Sequence, residues 1–87
     1  MRIFVDADAC PVKQEVYLVA ERLGVEVTLV ANSWLRTPDE KWLTLEVVGD
    51  APDAADDWIV EHLQAHDIVI TADILLASRC LEKTLGY

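Results

Sequence analysis

The 87-residue chain is long enough for one domain and no more, and a chain of this size buries only about 60% of the surface that it exposes when unfolded. With 16 acidic residues against 7 basic ones, its formal net charge of −9 excludes passive binding to a polyanion through a basic surface. A hydrophobic fraction of 53% excludes a disordered acidic tail.

Three further features of the sequence bear on the cellular location of the protein. No apolar run approaches the roughly 18 residues of a membrane span, so we expect no membrane partner. The N-terminus reaches the carboxylate of Asp6 after three apolar residues, which is not typical of a signal peptide. Two cysteines, Cys10 and Cys80, are too far apart for a CxxC metal site or a disulfide scaffold. We therefore expect a cytoplasmic protein.

The first half of the chain predicts a strand, a helix and two more strands, in that order. Arg2–Val5 is a short apolar strand with a core on both sides. Pro11–Gly24 predicts a helix, because proline fits a first turn and glycine fits an end. Val25–Ala31 is a second strand, Asn32–Lys41 a polar loop, and the alternation in Leu43–Val48 indicates a half-exposed edge strand. The apolar stripe of the helix is Val12, Val16, Val19, Ala20 and Leu23.

The second half predicts a helix, a strand and a last helix. Asp53–Gln64 is the first of these helices, with the Asp53 side chain as its cap. The apolar run in Asp67–Thr71 predicts a fourth, fully buried strand. The last helix runs from Asp73 to about Thr84. The inner stripe of the Asp53–Gln64 helix is Ala55, Trp58, Ile59 and Leu63.

The resulting order, β-α-β-β-α-β-α, predicts an α/β fold in a single domain over residues 1–87. Alternation of this kind favours an open, mostly parallel four-stranded sheet with helices on both faces. The chain stops soon after its last helix, so strand four would lie at or near an exposed edge. We therefore expect that a homodimer can form through this exposed sheet edge.

Three acids are predicted at the carboxyl ends of strands, where α/β folds place their chemistry. Asp6 ends strand one, Asp8 follows it, and Asp73 lies just beyond strand four. If strands one and four are neighbours, about 4.8 Å apart, Asp6 and Asp73 can reach the same cation. Oxygen ligands favour Mg²⁺ or Mn²⁺ over zinc. The competing interpretation is that each acid forms a turn or caps a helix, as most acids after strands do.

Two adjacent acids near the start of the Asp53–Gln64 helix differ in their predicted direction. Asp56 flanks the inner stripe, whereas Asp57 points almost opposite to it, because successive helical residues are about 100° apart. The first turn of this helix should lie near the strand ends. We therefore predict Asp56 as a further ligand and Asp57 as a solvated residue.

The Asp-x-Asp pair after a buried strand has a second interpretation. Phosphohydrolases with an aspartate nucleophile begin in the same way, and Asp6 would then be phosphorylated while Asp8 served as acid and base. Such enzymes also need a lysine near the phosphate. Neither Lys13, one turn inside the first helix, nor Lys83, near the C-terminus, is well placed for this.

The loop after strand two contains the residues that we predict to bind substrate. Asn32, Trp34 and Arg36 combine a polar side chain, an aromatic ring and a positive charge, which suits stacked bases and phosphates. Thr71, at the end of strand four, completes this set. The alternative is that Trp34 and Trp42 are hydrophobic cover under a long loop.

Four blocks of the sequence, in order and spanning most of the chain, form a specific pattern. They are Met1–Val12 (MRIFVDADACPV), Val30–Ser33 with Arg36, Asp53–Val60 (DAADDWIV) and Asp67–Ile74 (DIVITADI). In these blocks the chain resembles the YaiI/YqxD family of uncharacterised bacterial proteins. This family is grouped with PIN-like domains, which are metal-dependent ribonuclease folds.

The resemblance implies a set of metal ligands and a reaction. Asp6, Asp56 and Asp73 match the three acids of PIN domains, so they would hold Mg²⁺ or Mn²⁺, and with Asp8 they would form a catalytic set that hydrolyses phosphodiesters in RNA. The competing class is a non-catalytic metal-binding or interaction domain. Family chains run on through a further strand, and this departure favours the non-catalytic class. A second departure is Leu75, which stands where relatives tend to have proline.

Overall fold

Four strands and three helices form in the order that the sequence predicts. The computed structural model describes residues 1–9, 13–49, 51, 53–72 and 74–85. No helix within these ranges is both long and apolar enough to cross a membrane. A 3-10 turn over Ala7–Ala9 follows the first strand. The strands are β1 (Arg2–Asp6), β2 (Glu26–Ala31), β3 (Leu43–Val47) and β4 (Ile68–Ile70), and the helices are α1 (Lys13–Leu23), α2 (Ala54–His62) and α3 (Ile74–Leu85).

The four strands form one parallel sheet in the order β3-β2-β1-β4. In this register Val5 of β1 lies beside Leu29 of β2 on one side and Ile70 of β4 on the other. The predicted open α/β fold is therefore confirmed, as are the edge positions of β3 and, within the described ranges, of β4. Strands β1 and β4 are direct neighbours, which the proposed site at their ends required.

Helices cover both faces of the sheet, and each face has its own core. Because side chains alternate along a strand, Val5 points to the α1 side while Phe4 points to the α2 and α3 side. The α1-side core is Ile3, Val5, Ala7, Val16, Ala20, Val27, Leu29 and Ala31. The α2/α3-side core is Phe4, Val30, Ala55, Ile59, Leu63, Leu76 and Cys80.

Two helix boundaries test the predicted caps. Gly24 follows α1 with a φ of +69°, a left-handed conformation that favours glycine, so the predicted stop is confirmed. Asp53 occupies the position before α2, but its side chain makes no capping hydrogen bond. Its φ of −104° and ψ of 8° differ from the extended backbone typical of a capping residue. The predicted side-chain cap is therefore wrong, although the position is right.

The burial of β4 and of part of α1 also differs from the prediction. Ile68 is 38% exposed, and the rest of β4 is half-buried rather than fully buried, because β4 lies at the edge of the sheet. On α1, Val16 and Ala20 are buried, but Val19 and Leu23 are more than half exposed. The apolar stripe of α1 is thus wider than the surface that packs against the sheet.

Candidate functional site at the strand ends

The carboxyl ends of β1 and β4 are joined through a buried acid. Asp6 is only 5% exposed, and the Thr71 hydroxyl donates a hydrogen bond of 2.9 Å to its Oδ2. Asp6 follows Phe4 by two residues along β1, so its side chain points to the α2 and α3 side of the sheet. Both residues are among those predicted for the site, and the structure brings them together.

A second link at the same edge joins β1 to β2. The backbone N–H of Asn32, just past β2, donates a 2.9 Å hydrogen bond to Oδ2 of Asp8. The Asn32 side chain donates from Nδ2 to the carbonyls of Gly49 and Ala51, at 2.8 and 3.3 Å. Asn32 therefore connects the loop after β1 with the segment that leads into α2. The two carbonyls were not predicted. In the sequence they are marked only by the stretch Gly-Asp-Ala-Pro at residues 49–52, whose glycine and proline favour a turn.

Asp56 and Asp57 differ as predicted in their exposure. Asp56, in the first turn of α2, is half-buried, whereas the Asp57 side chain is 61% exposed and forms a 3.0 Å ion pair with Arg79. Burial raises the pKa of the Cys80 thiol, and the Asp56 carboxylate raises it further against the opposing effects of Arg79 and Lys83. Asp56 thus acts electrostatically on the α2–α3 interface, on the face to which Asp6 points.

The Asp6–Thr71 bond lies where the connections of the sheet change direction. The chain leaves β1 through α1 on one face to reach β2, and it returns through α2 on the other face to reach β4 on the opposite side of β1. In open α/β sheets, ligands bind in the crevice outside the carboxyl ends of the strands at such a switch point. The geometry therefore selects the β1–β4 junction as the candidate site.

The donor atoms around this junction are of one chemical kind. Asp6 and Asp8 offer carboxylate oxygens, and Thr71 offers a hydroxyl, which favours a hard cation such as Mg²⁺ or Mn²⁺ over zinc. Within the described part of the chain, no three His, Cys, Asp or Glu side chains form a group that could hold a metal. Asp73, the third predicted ligand, lies outside the described residues.

The two tryptophans that follow β2, Trp34 and Trp42, differ in their exposure. Trp34 is 73% exposed and Arg36 is also exposed. Trp42 is half-buried against the α1-side core, with its ring 6.1 Å from that of Tyr17. The interpretation as hydrophobic cover therefore holds for Trp42 alone, and Trp34 remains a candidate for stacking on a ligand.

Lys83 is one of the two lysines considered for the phosphate-binding role in a phosphohydrolase, but it has another role in this structure. Its ammonium group donates hydrogen bonds to the carbonyls of Val60 and Glu61, near the C-terminal end of α2. A lysine held there stabilises the helix end and is not beside Asp6. This position disfavours the aspartate-nucleophile interpretation as far as Lys83 is concerned.

The opposite ends of the same two strands carry a link that the sequence did not predict. Arg2 donates from its guanidinium group and its backbone N–H to Asp67, at 2.8 and 3.1 Å, and the Gln64 N–H donates a third bond at 2.9 Å. Burial alone raises the pKa of Asp67, but these hydrogen bonds and the Arg2 charge outweigh it and leave the pKa below 3.8. This acid is part of the scaffold.

Fold and site together define an open, parallel α/β protein with a buried acid, Asp6, bonded to the Thr71 hydroxyl at a topological switch point. Residues 4–86 match the model of the family described as "Uncharacterized BCR, YaiI/YqxD family". The chain belongs to this family, and the resemblance found in the sequence is confirmed. No solved structure matches the chain.

The curated relatives are named only as UPF0178 proteins. The chain is 56% identical over 81 residues to one from Rhodopseudomonas palustris strain HaA2, covering 93% of this chain and 49% of that protein. It is 56% identical over 82 residues to one from Nitrobacter winogradskyi, covering 94% and 52%. A third, GOX1710 from Gluconobacter oxydans, is 52% identical over 82 residues, covering 94% and 47%. The chain thus spans about half the length of the curated relatives that it matches.

Proposed function

We propose that this chain carries the metal site of a Mg²⁺- or Mn²⁺-dependent nuclease that hydrolyses phosphodiesters in RNA in the cytoplasm. The observation that carries the proposal is the Asp6–Thr71 hydrogen bond at the β1–β4 switch point. This hydrogen bond holds the buried carboxylate of Asp6 in a fixed orientation. The carboxylate lies where this class of fold binds its ligands, which supports the proposal.

Asp6, Asp56 and Asp73 would hold the metal ion, and Asp8 would orient a water molecule. When bound, a divalent ion lowers the pKa of a bound water and stabilises charge on phosphate oxygens. Thr71 holds the Asp6 carboxylate in place, and the Asn32 N–H does the same for Asp8. Two acids fixed in this way lose less conformational freedom when they bind an ion.

The RNA would lie across the loop that follows β2. Trp34 exposes a large ring on which a base can stack, and Arg36 supplies a positive charge for phosphate. Asn32 and Thr71 would complete the substrate contacts beside the acids. A chain with a net charge of −9 needs a cation between itself and a polyanion, which favours a metal-bridged substrate over binding by charge alone.

The first experiment measures thermal unfolding in the presence of increasing Mn²⁺, together with cleavage of a labelled single-stranded RNA. We expect Mn²⁺ to raise the melting temperature of the wild type, because an ion that binds only the folded state stabilises it. Asp6→Asn keeps the shape of the side chain but removes its charge. We expect it to abolish both the Mn²⁺-dependent rise and the cleavage, while the metal-free protein stays folded.

The matched control is Asp57→Asn, which removes an exposed acid from the same helix turn as Asp56. It should keep both the Mn²⁺ response and the cleavage. A wild-type melting temperature that ignores Mn²⁺ would remove the basis of the proposal. A Mn²⁺ response without cleavage would instead identify the non-catalytic metal-binding alternative. Hydrolysis of a small phosphate ester, lost in Asp6→Asn, would identify the phosphohydrolase.

A further inference from the structure

Asn32 forms three hydrogen bonds, which involve both its backbone and its side chain. Its backbone N–H donates to Oδ2 of Asp8, and its side-chain Nδ2 donates to the carbonyls of Gly49 and Ala51, at 2.8 and 3.3 Å. An asparagine amide has two N–H donors, and the two carbonyls match them in number. The side chain therefore binds the backbone of the protein itself, and its amide oxygen is the atom that remains for a substrate contact.

The two carbonyls belong to the connection between β3 and α2. Strand β3 ends at Val47, and the next N–H, that of Val48, still donates a 2.9 Å hydrogen bond to the carbonyl of Ala31 at the end of β2. Gly49 then has a φ of +87°, a left-handed conformation that favours glycine, so the extended direction of β3 ends there. Asn32 directly follows β2, so its amide holds the connection at the point where it leaves the sheet.

The start of α2 is tied to the same connection. The Asp53 side chain, just before the helix, makes no capping hydrogen bond. The backbone N–H of Ala54, the first residue of α2, donates instead to the carbonyl of Ala51, at 3.1 Å. This carbonyl is one of the two that Asn32 holds. Asn32 is therefore linked to the first turn of α2 through a shared acceptor.

The first turn of α2 also packs near the strand ends. Ala55 is only 4% exposed and belongs to the same core as Val30 of β2. Val30 lies beside Asp6 in the register of the sheet. The residue after Ala55 is Asp56, the half-buried acid that we predict as a metal ligand. A shift of the helix start would therefore change the position of Asp56 relative to the acids at the end of β1.

We propose that Asn32 is a positioning residue of the site, because it fixes two acids at once: Asp8 through its backbone N–H, and Asp56 through the connection that its side chain holds. This role rests on the proposed function, in which Asp8 and Asp56 serve the same metal centre. Acids that are already in place lose less conformational freedom when they bind an ion. Removing the Asn32 side chain should therefore weaken metal binding without removing a ligand.

The first measurement follows the order of α2 in the metal-free protein by ¹⁵N relaxation. Asn32→Ala removes both side-chain bonds and keeps the backbone N–H that donates to Asp8. We expect the amide order parameters of residues 54–57 to fall below the value of about 0.85 that is typical of rigid backbone. A loss of stability alone does not change the order of the folded state, so this measurement separates positioning from general support.

The second measurement is a calorimetric titration with Mn²⁺, at a temperature at which circular dichroism shows every variant to be folded. Asn32→Ala should raise the Mn²⁺ dissociation constant about 10-fold or more, which is typical of losing a residue that orients metal ligands. Gly49→Ala changes the acceptor side of the same bonds, because alanine rarely adopts a φ of +87°. It should raise the dissociation constant as well.

Two control variants separate this role from general effects. Ser33→Ala removes an exposed polar side chain next to Asn32 and should change neither the order of α2 nor the Mn²⁺ dissociation constant. Asp67→Asn weakens the ion pair with Arg2 at the opposite ends of the strands. It should lower the melting temperature and leave the Mn²⁺ dissociation constant unchanged.

An Asn32→Ala variant that binds Mn²⁺ as tightly as the wild type, or whose α2 keeps its order, would overturn the role of Asn32 even if its melting temperature falls. Either result leaves the proposed metal site intact. A wild type that binds no Mn²⁺ would overturn the metal site, and with it the role of Asn32 there. The order of α2 would still report whether Asn32 holds the helix, so the two failures are distinguishable.

Discussion

The β1–β4 pair is tied by a polar link at each of its two ends, and the two links differ in charge. At the amino ends, the buried carboxylate of Asp67 pairs with the guanidinium of Arg2. At the carboxyl ends, the buried carboxylate of Asp6 accepts a hydrogen bond from the neutral hydroxyl of Thr71. Asp6 as a whole residue is 5% exposed and the side chain of Asp67 is 5% exposed, so both carboxylates are buried, one beside a hydroxyl and the other beside a guanidinium.

The difference teaches which of the two acids belongs to the scaffold. Arg2 neutralises Asp67, donates as well to the carbonyl of His62 at the end of α2, and lies 4.9 Å from the centre of the Phe4 ring. This link joins β1, α2 and the approach to β4. The Thr71 hydroxyl orients the Asp6 carboxylate at the switch point, where this class of fold binds its ligands.

The largest expected effect is on the amino-end link. Asp67→Ala removes the partner of Arg2 and leaves the N–H groups of Arg2 and Gln64 without their acceptor. We expect the free energy of unfolding, measured by urea denaturation, to fall by about 2–3 kcal/mol. Water compensates part of the loss, because the Arg2 side chain is 37% exposed.

The control for this change is the exposed pair between Asp57 and Arg79. Asp57→Ala should cost less than about 0.5 kcal/mol, because exposed ion pairs contribute little to stability. Equal losses at the two sites would mean that burial of the Arg2–Asp67 pair has no energetic consequence, and the comparison between the two ends of the strands would lose its basis.

A smaller effect is expected at the carboxyl ends. Thr71→Val keeps the shape of the side chain but removes the hydroxyl that donates to Asp6. We expect a loss of about 1–2 kcal/mol in the free energy of unfolding of the metal-free protein, measured in urea. Thr71→Ser, which restores a donor, should recover most of this loss; a serine variant as unstable as the valine variant would show that the hydrogen bond is not the cause.

The smallest effect is the acid dependence of the amino-end link. The pKa of Asp67 is lowered by folding, so its contribution to stability is complete above the unfolded value of 3.8 and is lost as the pH falls through the lower folded pKa. Wild-type stability, measured by urea denaturation, should therefore fall more steeply below this value than that of Asp67→Asn, which cannot titrate there. Parallel pH profiles for the two proteins would contradict the assigned pKa shift.

The elements of the fold and the place of Asp6 at the end of β1 could be predicted from the sequence. Alternation, the glycine at the end of α1 and the apolar stripe of α2 are local patterns that determine local structure. Asp6 was recognisable because it ends a buried strand, where α/β folds place their chemistry. Strands one and four are neighbours, which was the condition for the predicted site, and Thr71, which we predicted to bind substrate, contacts Asp6.

The structural features that could not be predicted from the sequence depend on contacts between residues that are distant along the chain. An apolar run such as Ile68–Ile70 is the same in a central strand and in an edge strand, so the prediction of full burial was wrong. The Arg2–Asp67 link joins residues 65 positions apart, and no local pattern marks it. Val19 is exposed because the sheet does not cover that side of α1. The extent of the sheet depends on the other strands, so the sequence of α1 alone cannot predict it.

The most direct test of the metal site is a crystal structure of the chain soaked with Mn²⁺. The account predicts an ion at the β1–β4 switch point, with a carboxylate oxygen of Asp6 about 2.0–2.2 Å away. An anomalous signal that is absent from this crevice, or an ion bound only at exposed acids such as Asp57, would contradict it.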